Sequence, residues 1–197
     1  MPRAFTEAER EHVRARLLTA AREAVPRTGM RRTPVDALTR AAGISKGAFY
    51  LFFESKEALW TALMQEGETR ARARLGAEAA DPRPGATRRV LQAMFEIVGS
   101  DPVLAAMRDP EELAWLERSF PPGLLAAARA DDDAFFGELH DRLVARGEAM
   151  AESREAFVGL PLVALGLAQQ GGWLGGREPV VRELLVDALA RRLTSGA

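Results

Sequence analysis

Along almost the whole chain, apolar residues recur at three- and four-residue intervals, and the strict alternation of a half-buried strand is missing. The first periodic run is Val13, Leu17, Ala20/Ala21 and Ala24, one face of a helix. Thr6, with Glu9 three residues on, supplies a capping box at its start, and Pro26 and Gly29 are expected to end it. Thr33-Pro34-Val35-Asp36 then predicts a restart: a capping threonine, proline at the first helical position and a carboxylate in the first turn. This second helix is short, passing through Leu38 and stopping by Gly43. Ser45 caps a third, with Ile44 and Phe49 as a hydrophobic staple and Phe49 and Phe53 stacked at i, i+4. Ser55 caps a longer helix through Leu59 and Leu63.

The segment Asp81-Pro82-Arg83-Pro84-Gly85 breaks the pattern. Further helices are predicted at about 86–99, 102–108, 110–118, 122–147, 153–174 and 179–194, punctuated by prolines and by Gly175-Gly176. The expected fold is all-α. The last two long helices carry the most continuous apolar surface, including Phe157, Leu160, Leu162 and Val163, then Val180, Val181, Leu184 and Leu185. Paired with a two-fold copy they would form a four-helix seam.

Composition narrows the chemistry. With 47% hydrophobic and 28% charged residues, the chain is ordinary globular material, and no apolar run reaches membrane-span length. No cysteine is present, which excludes a disulfide framework, a thiolate nucleophile and cysteine-based metal sites. The residues from Met1 to Glu11 are charged where a leader peptide would be apolar, so a cytoplasmic protein with no membrane partner is expected. The net charge of −1 hides an asymmetry. Residues 1–60 hold eleven basic and seven acidic side chains, +4, and the remainder sixteen and twenty-one, −5. A basic head on an acidic body suits contact with a polyanion through the head alone. The two lysines of the chain, Lys46 and Lys56, both lie in that head.

Thr33 to Lys56 reads as a helix-turn-helix followed by a capped third helix. In that layout the turn Ser45-Lys46-Gly47-Ala48 faces the major groove. A hydroxyl and an ammonium reach phosphates or base edges, and two nearly side-chain-free residues allow close backbone approach. Tyr50 can give its hydroxyl to a phosphate. Ser55-Lys56 marks another helix N-terminus suited to a second one.

Arg14-x-x-Leu17-Leu18-x-Ala20-Ala21, Gly29, Thr33-x-Val35 and the unbroken stretch from Ala42 to Leu59 resemble the TetR family of bacterial transcriptional regulators. The resemblance covers about residues 10–62. It implies a DNA-binding domain over 1–58 and a helical ligand-binding and dimerisation domain over 59–197. It also implies a repressor that binds palindromic operator DNA as a homodimer and is released by a small-molecule effector. Thr33, Ser45, Lys46, Gly47, Tyr50 and Lys56 are then the expected DNA contacts, with Ala48 beside them. Phe52 departs from the family pattern, standing where a histidine is common.

The effector site is drawn from Met94, Phe95, Met107, Trp115, His140, Gln169 and Trp173, although aromatics and methionines at this spacing equally suit plain core packing. Glu111, Glu112 and Arg118 are further candidate polar anchors. No cofactor, metal or catalytic residue is expected. His12 and His140 lie far apart, and neither a Gly-rich phosphate loop nor H-E-x-x-H occurs. Asp131-Asp132-Asp133 reads as a set of capping carboxylates rather than a metal site. The competing reading is a helical ligand-binding or interaction protein without sequence-specific DNA binding.

Overall fold

A computed structural model describes residues 6–107, 109–169 and 176–195. Among the described residues all regular structure is helical: α1 (Glu7–Arg32), α2 (Val35–Ala42), α3 (Lys46–Phe49), α4 (Lys56–Ala80), α5 (Ala86–Ser100), α6 (Pro102–Ala106), α7 (Pro110–Ser119), α8 (Leu124–Ala145), a 3-10 turn (Ala151–Ser153), α9 (Arg154–Gln169) and α10 (Glu178–Thr194). The chain divides into two compact units, Met1–Glu68 with Ala106–Pro121, and Thr69–Ala105 with Pro122–Ala197. The expected boundary at residue 58 falls inside the first unit, which also takes in α7 from far along the chain.

In the first unit α1 packs against α2 and α7, and α2 against α3. Leu17, Ala21, Leu38, Phe49, Leu59 and Trp60 are essentially excluded from solvent. Each buried leucine or phenylalanine contributes roughly 1.5–3 kcal/mol. The Thr6–Glu9 capping box forms as the sequence leads one to expect, with the Glu9 amide donating to the Thr6 hydroxyl at 3.3 Å and the Thr6 amide to the Glu9 carboxylate at 2.8 Å. Pro26, however, does not end the helix. It lies exposed on α1, which tolerates the one missing hydrogen bond because Val25 and Met30 on either side are buried.

The break comes at Gly29, with φ 72° and ψ 168°, a backbone region open essentially to glycine alone. Past it, the amides of Met30 and Arg31 both donate to the Glu112 carboxylate of α7, each at 3.0 Å. Thr33 is not the cap of α2; the residue flanking that helix is Pro34, which supplies no side-chain cap. The Thr33 hydroxyl instead donates back to the Gly29 carbonyl at 2.5 Å and closes the end of α1.

In the second unit α5 packs against α9 and α10, and α8 against α9. Leu91, Met94, Leu139, Leu143 and Phe157 form the centre of its core. The start of α5 follows Gly85, which has no side chain to cap it, so the Glu148 carboxylate accepts the amides of Gly85 (3.1 Å) and Ala86 (3.0 Å) from across the unit. Asp131–Asp133 do not cap α8. That helix begins at Leu124, the three carboxylates lie within it, and Asp132 pairs with Arg72 at 3.1 Å. No described helix is long and apolar enough to cross a membrane.

The turn at Gly29 yields a direct test. A Cβ there would meet both the unfavourable φ and the Glu112 carboxylate. Gly29→Ala is expected to lower stability by about 2 kcal/mol, read as a fall in Tm by calorimetry.

Candidate nucleic-acid interface

The helix-turn-helix is set by two local devices. Gly43 takes the left-handed conformation (φ 65°, ψ 36°) and donates to Arg40, while the Ile44 amide donates to the Thr39 carbonyl at 3.0 Å, closing α2. Ser45 then starts α3, its hydroxyl accepting from the Ala48 amide at 3.2 Å. Between them these turns expose Ser45, Lys46 and Gly47 together, and a Cβ built on Gly47 would meet only open space. Buried Phe49 anchors the short helix beneath this turn and stacks 5.9 Å from Phe53. Tyr50 remains 53% exposed, its ring edge-on to Phe49.

Lys46 is not a bare cation. Its ammonium lies 3.3 Å from an Asp36 carboxylate oxygen on α2, both side chains exposed. A pair this open to water is worth little, so an incoming phosphate can displace the carboxylate. Arg16 adds a guanidinium from α1 close against Gly43.

Two of the expected contacts turn inward. Thr33 is 1% exposed and its hydroxyl is committed to Gly29. The Lys56 ammonium donates to the carbonyls of Arg31 (2.7 Å) and Thr33 (3.4 Å) and sits 5.2 Å from the centre of the Trp115 ring. Burial pushes this amine below the ordinary lysine value, against the opposing pull of Glu57 and Glu112. Ser55 caps α4, its hydroxyl accepting from the Ala58 amide at 3.1 Å. The accessible set is therefore Ser45, Lys46, Gly47 and Tyr50, with Ala48 half-buried behind them.

Residues 17–63, which contain this arrangement, match the profile of the bacterial regulatory proteins of the tetR family. Over these residues the chain resembles the TetR family. Solved structures of regulators share its fold over nearly the whole length. A TetR-family transcriptional regulator from Pectobacterium atrosepticum superposes with a TM-score of 0.65 at 23% identity, covering 94% of each chain. The fatty acid degradation regulator FadR from Bacillus halodurans gives 0.65 at 17% identity over 98% of each. A structure described as the molecular basis for control of antibiotic production by a bacterial hormone gives 0.72 at 22% identity, over 91% of this chain and 96% of that one.

The residues expected to form an effector site are distributed over both compact units. Met94, Phe95 and His140 belong to the second unit and are buried in it. Met107 and Trp115 belong to the first, where Trp115 lies beneath Lys56 and edge-on to Phe120 at 5.7 Å. The Gln169 side chain and Trp173 lie outside the described residues. Glu112, a candidate ligand anchor by sequence, is 2% exposed and spent on the amides of Met30 and Arg31. Its neighbour Glu111 pairs with Arg31.

His140 has the outline of a serine–histidine–aspartate constellation without the chemistry. Its Nε2 lies 2.9 Å from the Ser153 hydroxyl, but that hydroxyl donates to the Met150 carbonyl at 2.6 Å. The network thus assigns the proton to Nε2, which donates to Ser153 and cannot act as its base. Asp141 is 3.7 Å from Nδ1, too far for a hydrogen bond. The group fastens α8 to the 3-10 turn. Among the described residues no group of three His, Cys, Asp or Glu side chains could hold a metal.

Sequence reasoning missed the structural use of Glu112, because its two partners lie 82 and 81 residues away and no local pattern connects them. Truncation by Glu112→Ala, which strands two amides, is expected to cost about 3 kcal/mol in urea denaturation, and Glu112→Gln less because one acceptor remains.

Proposed function

We propose that this chain is a repressor that binds palindromic operator DNA as a homodimer and is released by a small-molecule effector. The observation that carries the DNA reading is the exposed Ser45-Lys46-Gly47 turn, fixed by Gly43 on one side and buried Phe49 on the other. Its geometry suits an N-terminal turn entering the major groove, with Tyr50 reaching a flanking phosphate. Residues 1–58 carry the reading role and 59–197 the ligand-binding and dimerisation role. Such a protein works in the cytoplasm, where the DNA is.

Dimerisation is supported by the surface of α9 and α10. Leu162, Val163, Val180 and Leu184 are all more than half exposed, at 66, 51, 72 and 65%. Large apolar side chains concentrated on two helices are unfavourable in water and suit a four-helix seam with a second copy. Two reading heads must then stand about 34–36 Å apart, or a multiple of that spacing, to enter major grooves on one face of the duplex. An effector that favours a differently spaced dimer lowers operator affinity by population shift. The helix that would carry the change is α4, which contributes residues to both compact units.

Selection from a random duplex pool is expected to enrich a palindrome; enrichment of no sequence would overturn the operator reading. On the enriched duplex, Lys46→Ala is expected to weaken binding and reduce the salt slope by about 0.9 for each phosphate that the ammonium neutralises in the wild-type complex. Leu184→Glu is expected to convert the dimer to monomer in sedimentation equilibrium, and an unchanged mass would remove the seam from α9 and α10.

A further inference from the structure

An arginine outside the helix-turn-helix is held against the end of it. Arg10, in the first turn of α1, reaches a residue 41 positions away and donates from Nη2 to the Leu51 carbonyl at 3.0 Å. Its guanidinium carbon lies 5.5 Å from the centre of the Phe52 ring. One helical turn later Arg14 repeats the arrangement 4.7 Å over Phe53, but Arg14 is half-buried and Phe53 only 4% exposed, so that second pair belongs to packing. Arg10 is exposed. Among the described residues no carboxylate pairs with it, whereas Lys46 is paired with Asp36.

We propose that Arg10 is a phosphate contact of the DNA-reading head, set in place before binding by the Leu51 carbonyl and the Phe52 ring. The proposal rests on the DNA-binding reading and extends it to a residue of α1. A guanidinium carries five N–H donors in a rigid fork, and the Leu51 carbonyl takes one, so donors remain for a phosphate oxygen. The aromatic face beneath is attracted to the cation without consuming a donor. Two restraints on one long side chain remove rotamer freedom that binding would otherwise have to remove. The place also fits. Leu51 and Phe52 directly follow Tyr50, and Tyr50 and Leu51 are 53% and 57% exposed. Arg10 thus lies beyond the far end of α3 from Ser45-Lys46-Gly47, and the two cationic positions bracket the reading helix. Contacts of this kind fix orientation on the duplex and carry no base information.

The test uses the full-length chain and a mixed-sequence B-DNA duplex, with binding followed by fluorescence anisotropy over a salt series. Arg10→Gln is expected to weaken binding several-fold at low salt and to make the log–log salt slope shallower by about 0.9 per engaged head. Arg10→Lys keeps the charge and is expected to keep the slope while weakening binding. Phe52→Leu keeps the apolar packing and the arginine but removes the aromatic face, and is expected to lower affinity at unchanged slope. Wild-type affinity and slope in Arg10→Gln would overturn the proposal while leaving the DNA reading intact. Absence of salt-dependent binding by the wild-type chain would overturn the DNA reading and this proposal with it. If Arg10→Gln melts early, Phe52→Leu decides, and unchanged affinity in that variant would overturn the preset contact.

Discussion

The first unit depends on a carboxylate that reaches two amides. Glu112, almost wholly removed from solvent, accepts from Met30 and Arg31 just where Gly29 turns the chain out of helical geometry. A buried carboxylate without donors would be expensive, and so would two buried amides without an acceptor. Each resolves the other. The same corner gathers Lys56, whose ammonium takes the carbonyls of Arg31 and Thr33, and Thr33, whose hydroxyl takes that of Gly29. Donors and acceptors at the end of α1 are thus met by α4 and α7, and the position of α2 and α3 follows from how α1 ends.

Glu148 solves a similar problem in the second unit, capping an α5 that its own Gly85 cannot cap. These two carboxylates show where sequence reading stops. Caps supplied by a neighbouring residue were legible: Thr6, Ser45 and Ser55 all hold the amides expected of them. Helix existence was legible too, because a 3.6-residue apolar period leaves few alternatives. Caps supplied from 62 or 82 residues away leave no periodic trace at either end. Pro26 misled for a related reason, since local propensity says stop and burial on both sides says continue.

The side chains expected to face DNA divide along the same line. Ser45, Lys46, Gly47 and Tyr50 are exposed as their place in a capped short helix demands. Thr33, just past the end of α1, and Lys56, at the start of α4, also lie at helix termini in sequence, yet both are drawn into the Glu112 corner, and no sequence pattern beside either announces it. The pair of lysines in the basic head therefore has two distinct jobs: Lys46 is available to a polyanion, and Lys56 holds the fold. The charge asymmetry along the chain is real but overstates the free positive charge, because Asp36 and Glu111 each occupy a cation of the head.

The membership of α7 in the first unit bears on what can be transplanted. A chimera that joins the first 58 residues to a foreign effector domain would leave behind the acceptor of the Met30 and Arg31 amides and the ring beneath Lys56. In such a graft the end of α1 must find new partners or fray. The head is not a self-sufficient cassette, and exchanges among relatives should respect a discontinuous segment, keeping Ala106–Pro121 with the N-terminal helices it completes.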